Sequence, residues 1–310
     1  MNLSKFISLN SDTKASALEK RVESFFSKFG AEISQDEIAV CIPSVHLREN
    51  NHIDALSGFK HVFLFVLPDE YDLYSAKFTW ATCIKRTSTT LCECRNEIIE
   101  YMLKTTYTYF MLSDDDVFWR KYYYPADIDV PKTGNAKDPV EVCSIITKNI
   151  GLMDKLDADV LYFDRGGFTT SKLEQRLKLK FGAPTFCSFV FRTKIFENPT
   201  LRYTEDITVP EDDAMNELLQ YLNYKFIKAI DILVGNLDGA DDCENEKTNS
   251  VINYVSHNEL WNRVKKFRAE KRRNGLLQAL RNYGYPNLSE RTQHKDTILL
   301  YCGFSKYGIK

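Results

Sequence analysis

Three consecutive carboxylates, Asp114, Asp115 and Asp116, follow the apolar run at residues 108–112 after a single serine. Acids crowded at a strand end repel one another, which lowers stability unless a cation or several hydrogen-bond donors offset the charge. Mg²⁺ and Mn²⁺ take oxygen ligands and bridge phosphates. The pattern therefore predicts a divalent cation bound to a diphosphate. The competing explanation is an ordinary turn, because aspartate is common at turns and helix starts.

The segments before these aspartates predict a sheet that presents them at one edge. Residues 37–43 and 61–68 are short apolar runs stopped by proline, as buried parallel strands are. Residues 92–107 have helical spacing, so strands and helices alternate and an α/β fold is expected. Ligands bind outside the carboxyl ends of strands in such sheets. The segments that follow the two strands should therefore converge with the aspartates.

The rest of the chain carries further patterned segments. Strands are predicted at residues 159–163, 185–191 and 226–233, and helices at residues 15–29 and 213–222. Residues 238–249 are polar, acidic and unpatterned, which is typical of a loop.

Composition favours a folded enzyme-sized protein over a disordered one. Of 310 residues, 44% are hydrophobic and 27% are charged, which allows one large domain or two small ones. The 41 basic and 43 acidic side chains nearly cancel, so the total charge indicates neither nucleic acid nor membrane as a partner. No apolar run is long enough for a signal peptide or a membrane span, and we expect a cytoplasmic protein. The eight scattered cysteines suggest reduced, packed thiols.

One local cluster of charge stands out at residues 261–281, which we call the basic stretch. It contains a single acid, Glu270, and these basic residues: Arg263, Lys265, Lys266, Arg268, Lys271, Arg272, Arg273 and Arg281. Lysine and arginine that neutralise backbone phosphates supply most non-specific affinity for nucleic acid, so a DNA-contacting surface is one interpretation. A solvated helix face is the other.

Residues 109–117, YFMLSDDDV, resemble the Asp-x-Asp strand end of GT-A glycosyltransferases. The resemblance implies an α/β fold in which a Rossmann-like nucleotide-binding half is fused to an acceptor-binding half around one mixed central sheet. It implies a UDP-sugar donor and a Mn²⁺ or Mg²⁺ cofactor. Asp114 would lie nearest the ribose and sugar and share the metal with Asp116. Asp115 would be a supporting acid.

Other segments extend this resemblance on the donor side. Residues 38–44, IAVCIPS, are similar to the family's first strand and loop, which implies that Pro43 and Ser44 lie against the nucleotide base. Arg95 stands about 20 residues before the acids, where the family often has a basic residue that reaches the diphosphate. A routine surface position is the alternative for Arg95.

The resemblance also implies residues on the acceptor side. Residues 209–215, VPEDDAM, look like the family's acidic motif, in which one carboxylate takes the acceptor proton. Asp212 is the first choice for this base and Asp213 the second, although both also suit a helix start. His257 is the candidate to complete the metal ligands, with His294 as the runner-up.

The acceptor is inferred from a narrower resemblance, which spans residues 36–265. The combined pattern looks like bacteriophage glycosyltransferases that modify hydroxymethylated pyrimidines in DNA, including those that add arabinose to 5-hydroxymethylcytosine. This implies transfer of a sugar of the arabinose or glucose class to DNA, with the basic stretch on the phosphates. Two alternatives stay open: a transferase of surface polysaccharide synthesis, and a nucleic-acid-binding protein without catalysis. The predicted divisions are an N-terminal helical segment (1–35), a glycosyltransferase domain (36–260) and a basic helical extension (261–310).

Overall fold

A computed structural model describes residues 20, 23–24, 26–28, 30–45, 52–123, 132–165, 187–203, 212, 215–216, 218–219 and 222–236. The chain divides into two compact units, Met1–Glu205 with Val209–Ile252, and Asp206–Thr208 with Asn253–Lys310. Every described residue belongs to the first unit. The predicted domain boundaries at residues 35 and 260 stay predictions.

Within the described residues, nine strands form one mixed sheet in the order β3-β2-β1-β4-β8-β7-β9-β5-β6. The strands are β1 (Ile38–Pro43), β2 (Val62–Val66), β3 (Thr82–Lys85), β4 (Tyr109–Ser113), β5 (Val117–Tyr123), β6 (Lys132–Asn135), β7 (Val160–Arg165), β8 (Ser188–Arg192) and β9 (Phe226–Asn236). The helices are α1 (Tyr71–Lys77), α2 (Leu91–Met102) and α3 (Pro139–Lys155). The predicted α/β fold around one mixed central sheet is confirmed.

The first four strands along the sheet, β3, β2, β1 and β4, run parallel to one another. Every residue of β1, β2 and β4 is buried, because helices cover both faces of the sheet. Helix α3 packs against one face, over β7 and β9, and α2 packs against the other, over β1. Each large apolar side chain buried in this way contributes about 1.5–3 kcal/mol to stability.

The direction of chain progression reverses between β1 and β4. From β1 the chain moves outward through β2 to β3, and it then returns through α2 to β4 on the other side of β1. In open α/β sheets such a switch point leaves a crevice outside the carboxyl ends of the two strands, where ligands bind. Ser44 follows β1 and the three aspartates follow β4, so both segments border this crevice.

The second half of the sheet must curl back toward that crevice. Four strand spacings separate β4 from β5 in the sheet order, about 19 Å in a flat sheet, whereas the link from Ser113 to Val117 spans at most about 14 Å. Strand β9 provides the bend. Its pairing with β7 shifts register between Lys228 and Leu233, near Asp231, whose φ is +69°, and its residues 232–236 pair with β5 on the other side.

Most predicted elements correspond to observed ones. Described residues 20, 23–24 and 26–28 are helical, within the predicted first helix, and Phe26 packs against the core. The six described cysteines are free thiols. Across the described part of the chain, no helix is both long and apolar enough to cross a membrane.

Candidate active site

The acidic loop, which comprises Asp114, Asp115 and Asp116, is joined to the end of β1 by a buried hydrogen bond. The Ser44 hydroxyl donates to Oδ2 of Asp115 at 2.6 Å and lies 2.7 Å from the Tyr74 hydroxyl. Ser44, Tyr74 and Asp115 are all buried. The two sides of the crevice are therefore held together by side chains as well as by strand pairing.

Asp115 is the most deeply buried acid of the loop. It is 7% exposed, whereas Asp114 and Asp116 are half-buried. The main chain is fixed too, since the amide of His52 donates to the carbonyl of Asp115 at 3.4 Å. A buried carboxylate needs a hydrogen-bond donor such as the Ser44 hydroxyl, because burial otherwise disfavours its charge. Asp115 therefore shapes the loop, and Asp114 and Asp116 are the acids that solvent can reach.

Asp114 is held from two directions. Nη2 of Arg95 donates to its Oδ1 at 2.8 Å, and the Asp114 amide donates to the carbonyl of Cys187 at 2.8 Å. Cys187, directly before β8, has a φ of +85°, a conformation that is strained for a residue with a side chain. Strain of this kind persists only where surrounding contacts hold it, and it is concentrated at functional sites.

Helix α2 brings Arg95 to the crevice. The helix begins after Thr90, whose hydroxyl accepts from the Glu93 amide while the Glu93 carboxylate accepts from the Thr90 amide. As the crossover between parallel strands, α2 runs opposite to them, so its amino end lies at their carboxyl edge. Arg95 stands in the second turn and is 3% exposed. A cation so deeply buried requires a charge partner, and Asp114 supplies one.

Glu97 stabilises the loop between β3 and α2 by hydrogen bonds to its main chain. Its carboxylate accepts from the amides of Thr87 and Ser88 at distances between 3.0 and 3.1 Å. Burial opposes ionisation of this carboxylate, but these hydrogen bonds hold the pKa of Glu97 below its usual value. Burial raises the pKa of the Cys94 thiol behind the loop, so Cys94 stays neutral and serves as packing.

The predicted site residues fall into three groups. Pro43, the last residue of β1, and Ser44, Arg95 and the acidic loop lie together at the carboxyl edge. Asp212 lies on a helical segment whose residues Met215, Leu218 and Leu219 are buried. The remaining predicted residues lie outside the described part of the chain: Asp213, His257, Arg263, Lys265, Lys266, Arg268, Lys271, Arg272 and Arg273.

The donor set suits a hard cation. The acidic loop offers carboxylate oxygens, which are the ligands that Mg²⁺ and Mn²⁺ prefer. Among the described residues, however, no three His, Cys, Asp or Glu side chains are grouped closely enough to form a complete metal site. A cation bound by Asp114 and Asp116 would need further oxygen or nitrogen ligands, which a diphosphate or an undescribed residue such as His257 could supply.

Two residues at this edge were not identified from the sequence. Tyr74 is fully buried against Ser44, and Tyr203 stacks on Arg95, with Cζ of Arg95 5.3 Å from the ring centroid. For Tyr74, the position of α1 after the second strand was an available signal. No local signal pointed to Tyr203, which is 107 residues from its hydrogen-bonding partner Asn96.

Comparison with known proteins gives similarity at the level of structure alone. No protein-family model matches the sequence, and the search of curated proteins gave no match. Among solved structures, the chain resembles S. aureus TarS 1–349 with a TM-score of 0.44 and 12% identity. The match covers 67% of this chain and 62% of that one.

Two further structures show how broad this similarity is. The mannosyltransferase PcManGT from Pyrobaculum calidifontis, in complex with GDP-Man and Mn²⁺, matches with a TM-score of 0.45 and 10% identity over 72% of this chain and 64% of that one. A cytidylyltransferase from Leptospira borgpetersenii matches with a TM-score of 0.33 and 9% identity over 63% and 76%. The chain thus spans less than two thirds of the first two structures. At these scores and identities, the similarity is one of fold alone.

Proposed function

We propose that this protein is a metal-dependent glycosyltransferase that binds a nucleotide-sugar at the carboxyl edge of its sheet. One observation carries the proposal. The Ser44–Asp115 hydrogen bond and the Arg95–Asp114 ion pair lie at the switch point between β1 and β4, the position where open α/β sheets bind ligands. A guanidinium and solvent-accessible carboxylates are thereby combined in one crevice.

Each group at the crevice has a distinct task on a diphosphate. Asp114 and Asp116 would hold Mn²⁺ or Mg²⁺, which would supply positive charge against a nucleoside diphosphate. Arg95 donates to phosphate oxygens from a buried position, where a fixed cation acts more strongly than it would in water. Pro43 and Ser44 border the nucleotide base, and Asp115 keeps the loop in place.

Transfer also requires a base that takes the proton of the acceptor hydroxyl. Asp212 is the first choice, because it is a partly accessible carboxylate on a helical segment between β8 and β9. Asp213 is the second choice. The inverting or retaining outcome depends on where the acceptor oxygen lies relative to the sugar.

For the acceptor we propose the hydroxymethyl group of 5-hydroxymethylcytosine in DNA, with arabinose or glucose as the class of sugar. The support is the basic stretch, whose seven basic residues between positions 263 and 273 suit backbone phosphates. A base inside a duplex has to be exposed before its substituent can be attacked, and enzymes that act on bases often flip them. DNA affinity should therefore fall steeply with salt.

The proposal is tested by measuring sugar transfer to DNA directly. Purified protein is incubated with Mn²⁺ or Mg²⁺, a panel of UDP-sugars, and DNA with or without 5-hydroxymethylcytosine, and the nucleosides are analysed by mass spectrometry. We expect a pentose or hexose mass shift that is confined to hydroxymethylated DNA. Asp114→Asn should abolish it. Asp157→Asn is the matched control, because Asp157 is 81% exposed and stands just before β7, at the opposite edge of the sheet.

The other outcomes separate the alternatives. UDP-sugar hydrolysis that depends on Asp114 but yields no DNA product would support a glycosyltransferase and exclude DNA as its acceptor. Surface polysaccharide would then be the acceptor to test. DNA binding without any metal-dependent reaction, unchanged in Asp114→Asn, would instead establish a non-catalytic nucleic-acid-binding protein.

A further inference from the structure

The segment that follows β8 is fastened to helix α2 by two side chains one turn apart. Asn96 donates to the carbonyl of Tyr203 at 2.8 Å and accepts from the Tyr203 amide at 2.8 Å. Glu100 accepts from Nη2 of Arg202 at 2.7 Å and from its Nε at 3.0 Å. Residues four apart share one face of a helix, so both anchors are on the same side of α2.

The Asn96 side chain makes two hydrogen bonds to the main chain of one residue. A single side-chain amide satisfies both main-chain polar groups of Tyr203, as pairing with a neighbouring strand would. Tyr203 is 4% exposed, so those groups could not turn to water without cost if the amide were lost. The main chain of Tyr203, and with it the direction of the ring, is therefore fixed relative to α2.

The ring that this anchor fixes lies against the arginine of the candidate active site. The Tyr203 ring centroid is 5.3 Å from Cζ of Arg95, the residue directly before Asn96, within the range of a cation–π contact. The same guanidinium donates to Oδ1 of Asp114 at 2.8 Å. Arg95 therefore has an aromatic contact and a charged contact, and the two together limit the orientations of a long side chain.

We propose that Tyr203, held by Asn96, is a positioning residue that orients Arg95 toward Asp114 and toward the phosphates of a bound nucleotide. This inference rests on the proposed function, because Tyr203 acts through Arg95. Without the ring, the guanidinium keeps its charge but gains rotamers, and part of the binding energy is spent on ordering it again. Nucleotide affinity then falls while the fold persists.

A double-mutant cycle tests the proposal. UDP and GDP are titrated by calorimetry into the full-length protein with Mn²⁺, and the better ligand is used throughout. Tyr203→Leu should weaken binding about tenfold, which lies between the values expected for an exposed and for a desolvated cation–π contact. Tyr203→Phe keeps the ring and should bind like wild type. In an Arg95→Met background, Tyr203→Leu should have no further effect, because the residue on which it acts is gone.

Two more variants distinguish positioning from a general effect of the segment. Glu100→Ala removes the acceptor of the neighbouring anchor without touching Arg95, and its nucleotide affinity should stay within about twofold of wild type, because an exposed ion pair contributes little. Asn96→Ala releases the main chain of Tyr203 but keeps the ring, and should weaken binding by about threefold. It serves in place of Tyr203→Leu if that variant does not fold.

The possible failures are distinguishable. If wild type binds neither nucleotide, or if Arg95→Met binds as well as wild type, the proposed function falls and this inference falls with it. If Arg95→Met weakens binding but neither Tyr203→Leu nor Asn96→Ala does, only the positioning role is overturned. Equal losses from Tyr203→Leu in the wild-type and Arg95→Met backgrounds would likewise show that Tyr203 merely supports the fold.

Discussion

The two ends of β4 carry similar residue types in opposite arrangements. At the amino end, the Tyr109 hydroxyl and Nη1 of Arg192 both contact Oδ1 of Asp154, at 2.5 Å and 2.9 Å. Arg192 also donates to the carbonyl of Ala158 at 2.7 Å. One carboxylate is thus matched by donors from two other elements, and the cluster ties β4, α3 and β8 together.

At the carboxyl end, three acids crowd into one short loop. Arg95 is held by one of them, Asp114, and Ser44 donates to another, Asp115. Adjacent like charges oppose folding, so this loop is worse for stability than the amino-end cluster. Arginine–aspartate contacts alone therefore do not mark an active site, since both ends of β4 have one. The carboxyl end is distinguished by an excess of acidic residues at the edge where ligands bind.

Removing one solvent-accessible acid should separate activity from stability at the carboxyl end. Asp116→Asn should lower the rate of sugar transfer by at least about 100-fold, since a metal ligand and its electrostatic effect on the leaving group are lost. Its free energy of unfolding should change little by comparison, because the substitution also relieves like-charge repulsion within the loop. Product formation and urea denaturation measure the two effects. A loss of activity that only parallels a loss of stability would make the loop structural.

The converse experiment addresses the amino end. Arg192→Met removes a guanidinium that is 12% exposed and deprives Asp154 and the Ala158 carbonyl of this donor. We expect the free energy of unfolding to drop by about 2–3 kcal/mol. Activity per folded molecule should match wild type. A midpoint shift in urea with an unchanged slope would show this, whereas weakened nucleotide binding would contradict the division of roles between the two ends.

The strands that form the crevice were predictable because burial on both faces produces uninterrupted apolar runs. Strands β1, β2 and β4 were each placed within two residues of their observed bounds. Strand β3, TCIK, was not identified, since it is a partly exposed edge strand of four residues without such a run. Helix α3 was also not identified, although Asp138 before Pro139 is a recognisable helix start.

The candidate site was predictable from the sequence only in part, for a physical reason. Residue type and position after a strand suffice to select Ser44 and the acidic loop, since strand ends meet at one edge of a sheet. They do not show which acid turns inward, because that depends on the Ser44–Asp115 contact between residues 71 apart. Nor could Tyr203 be connected with Arg95, because no local pattern encodes a contact between such distant segments.

The smallest expected effect concerns pH and the amino end alone. The hydrogen bond from Tyr109, together with Arg192, holds the pKa of Asp154 below its usual value. A carboxyl group whose pKa is lower in the folded state stabilises the fold above its unfolded pKa, about 3.9, and loses that contribution as pH falls through the folded value. Asp154 is 38% exposed, so the contribution should stay below about 1 kcal/mol.

Asp154→Asn isolates this contribution. The difference in unfolding free energy between wild type and Asp154→Asn should be constant from pH 6 to about pH 4 and should shrink toward pH 2, because both proteins then carry a neutral group at this position. Urea denaturation across that range measures it. A difference that does not change with pH would mean that hydrogen bonding rather than charge stabilises the amino end. The contrast between the two ends of β4 would then lie in the charge of the acidic loop alone.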